Sequence, residues 1–323
     1  MTFRIGVVGA GTHGERYVRH GLQDVPGMTV TALCRRNSAA GQKLAARYGI
    51  RYHEEPENLI QDPEVDGIVV CTPPSSHFEL ARAVLASGKP LLLEKPMTGT
   101  LDQAEQLVEL DTEAHHPLML AQALRWNPVV LKVRQLWSTL GRVHLIRLSQ
   151  RLAPTTLDWQ KNLAETVGGS VLLTGVHIFD LARFLSGQEF RTVDSRQRQV
   201  LNPVVEDFFL ARASLSDGSQ VSLEVSKYTR SRACWLEAVG EEGQIMADYL
   251  DGGVLVRRGR DEENFDISAA APTLPLVLMD WLVAVRDGLP PPVTVQDGLA
   301  TMRVVEACYR SAASGRQVNL VDL

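Results

Sequence analysis

Apolar and polar positions follow two different rhythms along this chain. Up to about residue 120, short runs that are apolar nearly throughout (5–8, 30–34, 67–71, 91–93 and 117–121) alternate with longer mixed stretches. Such uninterrupted runs are what strands buried on both faces require. Residues 39–48, 76–87 and 101–112 have helical composition, and Gly49 and Gly88 stand where the first two should stop. Strands alternating with helices predict a parallel, doubly wound sheet.

From Val143 to about Val256 the rhythm shortens to nearly two. Residues 144–151, 208–214, 220–226 and 234–240 read as half-buried strands, with Asp217-Gly218 as a hairpin turn between the second and third. A helical stretch, 169–185, lies in the connection, residues 298–314 read as a closing helix, and 318–321 as a short last strand. The segment 257–275 is the loosest, and no internal repeat is present. A chain of 323 residues exceeds one ordinary core. The expectation is two domains, 1–122 and 123–323, with an antiparallel sheet in the second.

Composition narrows the classes. A formal charge of −5, evenly spread, points to neither nucleic acid nor an anionic membrane surface as partner. Cys34, Cys71, Cys234 and Cys308 are far apart without CxxC spacing, which argues against a metal site or disulfide framework and favours a reducing compartment. The sequence runs straight into a strand with no signal-like segment, and no apolar run approaches the roughly 20 residues needed to span a bilayer. The chain reads as cytoplasmic.

The first strand run is followed by Gly9-Ala10-Gly11-Thr12-His13-Gly14 and then a helical stretch. In that context the first glycine permits a tight turn and the second lets backbone approach a pyrophosphate. The third packs helix against strand, and Thr12 and His13 complete the cofactor-binding turn. A carboxylate about 20 residues further on would hold a ribose 2′-hydroxyl and select NAD. Here the second strand ends in Leu33-Cys34-Arg35-Arg36-Asn37-Ser38, with Arg35 21 residues after Gly14. Two guanidiniums and no acid suit a 2′-phosphate, so NADP(H) is favoured over NAD(H).

Two further strands end in chemistry. One stops at Thr72-Pro73-Pro74-Ser75-Ser76-His77, the other at Glu94-Lys95-Pro96, at the sheet edge where open α/β folds bind ligands. Proline keeps Lys95 out of a helix, at the strand tip. These motifs, with Gly88-Lys89-Pro90 before Glu94-Lys95-Pro96, Arg125-Trp126-Asn127-Pro128, Gly168-Gly169 through Asp180, and the closing Asp297-Gly298, Ala307-x-Tyr309-x-Ser311 and Gly315, occur in order over nearly the whole chain. In that ordered set the chain resembles the glucose-fructose oxidoreductase/inositol dehydrogenase/rhizopine-catabolism (Gfo/Idh/MocA) family.

The resemblance implies a Rossmann domain and a C-terminal α+β domain with an open, mostly antiparallel sheet, through which such proteins form homodimers or homotetramers. It implies that Lys95 exchanges the proton of a substrate hydroxyl while hydride moves to or from nicotinamide, and that His177 assists. A buried lysine suits that task because desolvation lowers its pKa. Thr72, Pro73, His77, Glu94 and Arg125 join the expected cofactor contacts, and Arg125, Trp126 and Trp159 the expected substrate contacts. Asp180, three residues after His177, is a candidate to orient it or to pair with Arg183. At one position the chain departs from the pattern. Four residues before His177, where many members carry aspartate, stands Leu173, which offers no hydrogen bond. The expected activity is an NAD(P)-dependent dehydrogenase acting on a CH–OH group of a sugar, polyol or sugar-derived acid. A cofactor-binding regulator, or a nicotinamide-dependent glycosidase of the same family, are the competing readings.

Overall fold

A computed structural model describes residues 2–114, 116–268 and 272–323. It divides into two compact units, residues 1–122 with Leu274–Leu299, and Ala123–Thr273 with Ala300–Leu323. The units are not the two contiguous stretches expected from the sequence, because Leu274–Leu299 belongs with the first.

In the first unit, β1 (Phe3–Val8), β2 (Met28–Cys34), β3 (Arg51–His53), β4 (Gly67–Val70), β5 (Leu91–Glu94) and β6 (Met119–Ala121) form a parallel sheet in the order β3-β2-β1-β4-β5-β6. Helices α1 (Gly14–Gln23), α2 (Ser38–Tyr48), α3 (Pro56–Ile60), α4 (His77–Ala86) and α5 (Leu101–Thr112) connect them. Ile5, Val7, Ile68, Val69 and Leu91 are fully buried, which explains runs without polar alternation. Register decides where chemistry gathers. Cys34 pairs with Val8, Val8 with Val70, Val70 with Leu93 and Leu93 with Leu120. One row across the sheet thus closes β2, β1, β4 and β5 together, and Arg35, Gly9, Thr72 and Lys95 all follow just beyond it. The strand order reverses between β1 and β4, the place where such sheets take ligands.

The late segment joins this unit through its own apolar stripe. Leu274, Val277, Leu278, Trp281 and Leu282 recur at helical spacing and are buried. Trp281 meets Phe3 edge-on, centroids 5.4 Å apart, and Leu120 N–H donates to the Val293 carbonyl at 3.1 Å.

The second unit carries β7 (Val143–Arg151), β8 (Phe190–Arg198), β9 (Phe208–Leu215), β10 (Gln220–Ser226), β11 (Ala233–Gly240), β12 (Gln244–Asp248), β13 (Gly253–Arg258), β14 (Asp261–Asp266) and β15 (Val318–Asn319). Their order is β14-β13-β12-β11-β7-β10-β9-β8-β15. Neighbours run antiparallel except β7 with β10. Asp217-Gly218 does turn β9 into β10, with Gly218 at φ +88°. The strand β14, Asp-Glu-Glu-Asn-Phe-Asp, lies inside the stretch expected to be loose. It is an exposed edge strand whose charges hide the periodicity. Residues 269–271 of that stretch lie outside the described residues.

Further helices of this unit are α6 (Pro128–Leu136), α7 (Leu163–Thr166) and α8 (Val176–Ser186). The last helix of the chain, Val295–Ser314, spans the division at Leu299. The expected helix 169–185 is a π turn, Val171–Gly175, leading into α8. Phe179 packs against Phe190 and Phe209 of the sheet at 6.3 and 5.8 Å. By length and composition Leu163–Ser186 is apolar enough to cross a membrane, contrary to the reading of the sequence. With 78% of that window buried, it is a core segment of its unit.

Candidate active site

The turn after β1 is shaped by its glycines, each for a different reason. Gly9 sits at φ +88°, and a Cβ there would come within 2.5 Å of the Cys71 carbonyl oxygen. A Cβ on Gly14 would lie 2.3 Å from the Gly9 carbonyl, so the third glycine lets α1 close onto the turn. Gly11 is different. A Cβ there would meet nothing nearer than Gly9 O at 4.0 Å, so protein packing does not require this glycine. Open space beside a backbone at the head of a helix is what a pyrophosphate needs, and the residues fit a dinucleotide. The Gly9 and Ala10 N–H groups both donate to Cys34 O at 3.0 Å, tying the turn to the end of β2. Arg35 follows, half-buried, then Arg36, exposed.

On the neighbouring strand ends, Glu94 and Lys95 divide their tasks. Glu94 is buried, and its Oε1 accepts from Tyr17 Oη and from His13 Nε2, both at 2.7 Å. Its Oε2 accepts the Lys95 backbone N–H at 3.0 Å. Burial pushes this carboxyl up, but the hydrogen bonds from His13 and Tyr17 and the charge of Lys95 outweigh it and hold it at about 2. Burial beside this anion pushes the Tyr17 phenol far up, so Tyr17 remains a donor. Lys95 is half-buried; desolvation lowers its pKa, and Glu94 only partly opposes that. A carboxylate thus fixes the lysine's backbone while burial loosens the lysine's proton.

The side chains of two residues expected at the cofactor meet protein partners. The Glu94 carboxylate is spent on protein partners. The His77 side chain, fully buried, lies with Nδ1 2.7 Å from Pro96 O and Nε2 2.8 Å from Thr72 O, leaving no ring nitrogen for a ligand. His13 turns one nitrogen to Glu94 as well. Beside them Ser76 Oγ lies 2.8 Å from Thr72 Oγ1 and 3.0 Å from Pro73 O, bracing the turn.

In the second unit, Arg125 donates from Nε and Nη2 to both oxygens of Asp180, at 2.8 and 2.6 Å, and stacks 5.2 Å from the centre of the Phe184 ring. Both partners of this fork are buried. Arg125 was expected at a cofactor or substrate; the structure gives its fork to Asp180. Arg183 in turn is bidentate to Glu189. Trp126, expected over a ligand, is buried in this unit. Trp159 is half-buried on the short turn Asp158–Lys161. His177, the second residue of α8, is half-buried. Leu173 is buried in the π turn and helps line a cavity of about 130 Å³ with Gln160, Gly169, Ser170 and Lys227.

Two models of known families match, an oxidoreductase family's NAD-binding Rossmann fold over residues 3–122 and its C-terminal α/β domain over residues 137–320. The chain is a member of the Gfo/Idh/MocA oxidoreductase family. It is 29% identical to inositol 2-dehydrogenase 2 of Saccharopolyspora erythraea, covering 98% of this chain and 94% of that one. Among solved structures it is similar to an oxidoreductase domain protein from Kribbella flavida, with a TM-score of 0.92 at 22% identity, covering 99% of this chain and 100% of that one. It is also similar to GenD2 from gentamicin A biosynthesis, solved in complex with NAD, with a TM-score of 0.88 at 27% identity, covering 98% and 96%.

Some residues of this Gfo/Idh/MocA chain escaped the sequence reading. Tyr17, the buried donor to Glu94, carries a weak signal as a tyrosine one turn into α1. Glu206 carries none. It accepts from Tyr309 Oη at 2.9 Å and from Val171 N–H at 3.0 Å, and burial pushes its carboxyl up against those bonds. The glycine pair is explained by these partners. A Cβ on Gly168 would meet Tyr309 Oη at 2.5 Å, and one on Gly169 would meet Glu206 O at 2.0 Å.

Proposed function

We propose that this oxidoreductase interconverts a secondary alcohol and a ketone on a sugar, polyol or sugar-derived acid, with NADP(H) preferred over NAD(H). The observation that carries the reading is Lys95, half-buried at the tip of β5 with a lowered pKa and a backbone braced by Glu94. Bound nicotinamide supplies the hydride chemistry. The chain supplies the rest: the Gly9, Gly11 and Gly14 turn receives the pyrophosphate, Arg35 faces a 2′-phosphate, and Lys95 Nζ gives or takes the proton at the substrate oxygen. His177 assists in holding that oxygen. With Leu173 in place of a carboxylate, its contribution is smaller than that of Lys95.

Relatives named as inositol and apiose dehydrogenases support the substrate class. The test is turnover across inositols, sugars and sugar acids with NADPH and NADP⁺ beside NADH and NAD⁺. The reading expects substrate-dependent absorbance change with at least one polyol or sugar, and higher kcat/KM with the phosphorylated cofactor. Tight NADPH binding with no turnover on any of them would overturn it and favour a regulator, the alternative for which Leu173 speaks.

A further inference from the structure

The motif Thr72-Pro73-Pro74-Ser75-Ser76-His77 leaves one group unexplained by ligand binding. His77 opens α4 fully buried, and each ring nitrogen faces a backbone carbonyl, Pro96 O at 2.7 Å and Thr72 O at 2.8 Å. A carbonyl oxygen can only accept. A neutral imidazole has one N–H, so its other nitrogen would set a lone pair against a carbonyl lone pair at hydrogen-bond distance. Two N–H donors satisfy both contacts with charge-assisted hydrogen bonds, which act against the cost of burying the cation.

We propose that His77 is a positioning residue that clamps Thr72 and Pro96 as a doubly protonated imidazolium. The clamp has a direct bearing on Lys95. On one side the Lys95 N–H is held by Glu94 Oε2, and on the other the carbonyl of the next residue is held by His77 Nδ1–H. The lysine backbone is fixed from both sides, which leaves its side chain as the moving part. A fixed positive charge close by also favours the neutral amine that accepts a proton. The charges that act on the ring from the neighbouring strand end are Glu94, which favours the second proton, and Lys95, which opposes it. Burial opposes it more than Glu94 and the two carbonyl contacts favour it, which holds the ring below its ordinary value; the cation rests on the pair of acceptors facing both nitrogens. Glu79 and Arg82 of α4 pair with each other at the surface.

The inference rests on Lys95 as the proton-exchanging group, yet its first test does not need turnover. In ¹⁵N-histidine-labelled wild-type protein, assigned by through-bond NMR at neutral pH, both His77 nitrogens should show protonated-type shifts and attached hydrogens. Kinetics give the second test. His77→Gln, whose amide can meet only one carbonyl well, should lower kcat by about 10²-fold through misplacement of Lys95 while the KM for NADPH stays near that of wild type. The limb of the kcat profile that rises with Lys95 deprotonation should move to higher pH. A wild-type ring with one bare nitrogen overturns the proposal, as does a His77→Gln enzyme with the wild-type kcat profile. Loss of the Lys95 reading would show in Lys95 variants instead and leave the NMR signature untouched.

Discussion

The placement of Lys95 and of the three motif glycines was legible because it follows from local rules. A glycine at φ +88° against the Cys71 carbonyl has no substitute, and a lysine held before proline at a strand tip has few places to point. The partners of the charged and aromatic residues were not legible. Arg125 and Asp180 lie 55 residues apart in sequence, and nothing near either shows that they would bind each other instead of a ligand. The same holds for His77 and Pro96. Arg35 lies between these cases, since its place after β2 was readable while its ligand is a proposal. If Arg35 meets a 2′-phosphate, NADPH should bind more tightly than NADH by about 1.5–3 kcal/mol, the worth of a hydrogen bond to a charged group. Arg35→Asp should reverse the order, as isothermal titration of both cofactors would reveal. Equal affinities in the unmodified protein would refute a contact between Arg35 and the 2′-phosphate.

At the scale of elements, strands buried on both faces announce themselves, while the register that lines up Cys34 to Leu120 came only from the structure. β14 did not announce itself, because an edge strand needs no apolar alternation, and the π turn at Leu173 was hidden because α and π turns share an apolar composition. β5 and α1 are joined by Glu94, which receives Tyr17 and His13 from α1 and its preceding turn. Its carboxyl is held at about 2 against an ordinary 4.5, so the folded state binds that proton more weakly than the unfolded chain. The resulting stabilisation, about 3 kcal/mol, is complete above the unfolded value and fades as pH falls from about 4.5 towards 2. Urea unfolding at neutral and acid pH should therefore show a steeper acid loss in wild type than in Glu94→Gln. Parallel losses in the two proteins would mean that the tie between β5 and α1 carries little of this stability.

For the whole molecule, the sequence conveyed two domains and their fold classes, and the comparisons bear out the fold. The return of Leu274–Leu299 to the first unit was not conveyed. The apolar stripe through Trp281 marks a buried helix without saying which core buries it; the contact with Phe3 and the Leu120–Val293 hydrogen bond settle that. Function at this scale comes down to whether the braced lysine moves the proton. The most direct measurement is steady-state turnover of Lys95→Met, which keeps the bulk of the stem and removes the proton, beside His177→Ala and with NADPH affinity measured on each. The account predicts a fall of about 10²–10⁴-fold in turnover for Lys95→Met, the usual worth of general acid–base catalysis, with nearly unchanged NADPH affinity and a distinctly smaller loss for His177→Ala. Near-normal turnover in Lys95→Met would contradict it.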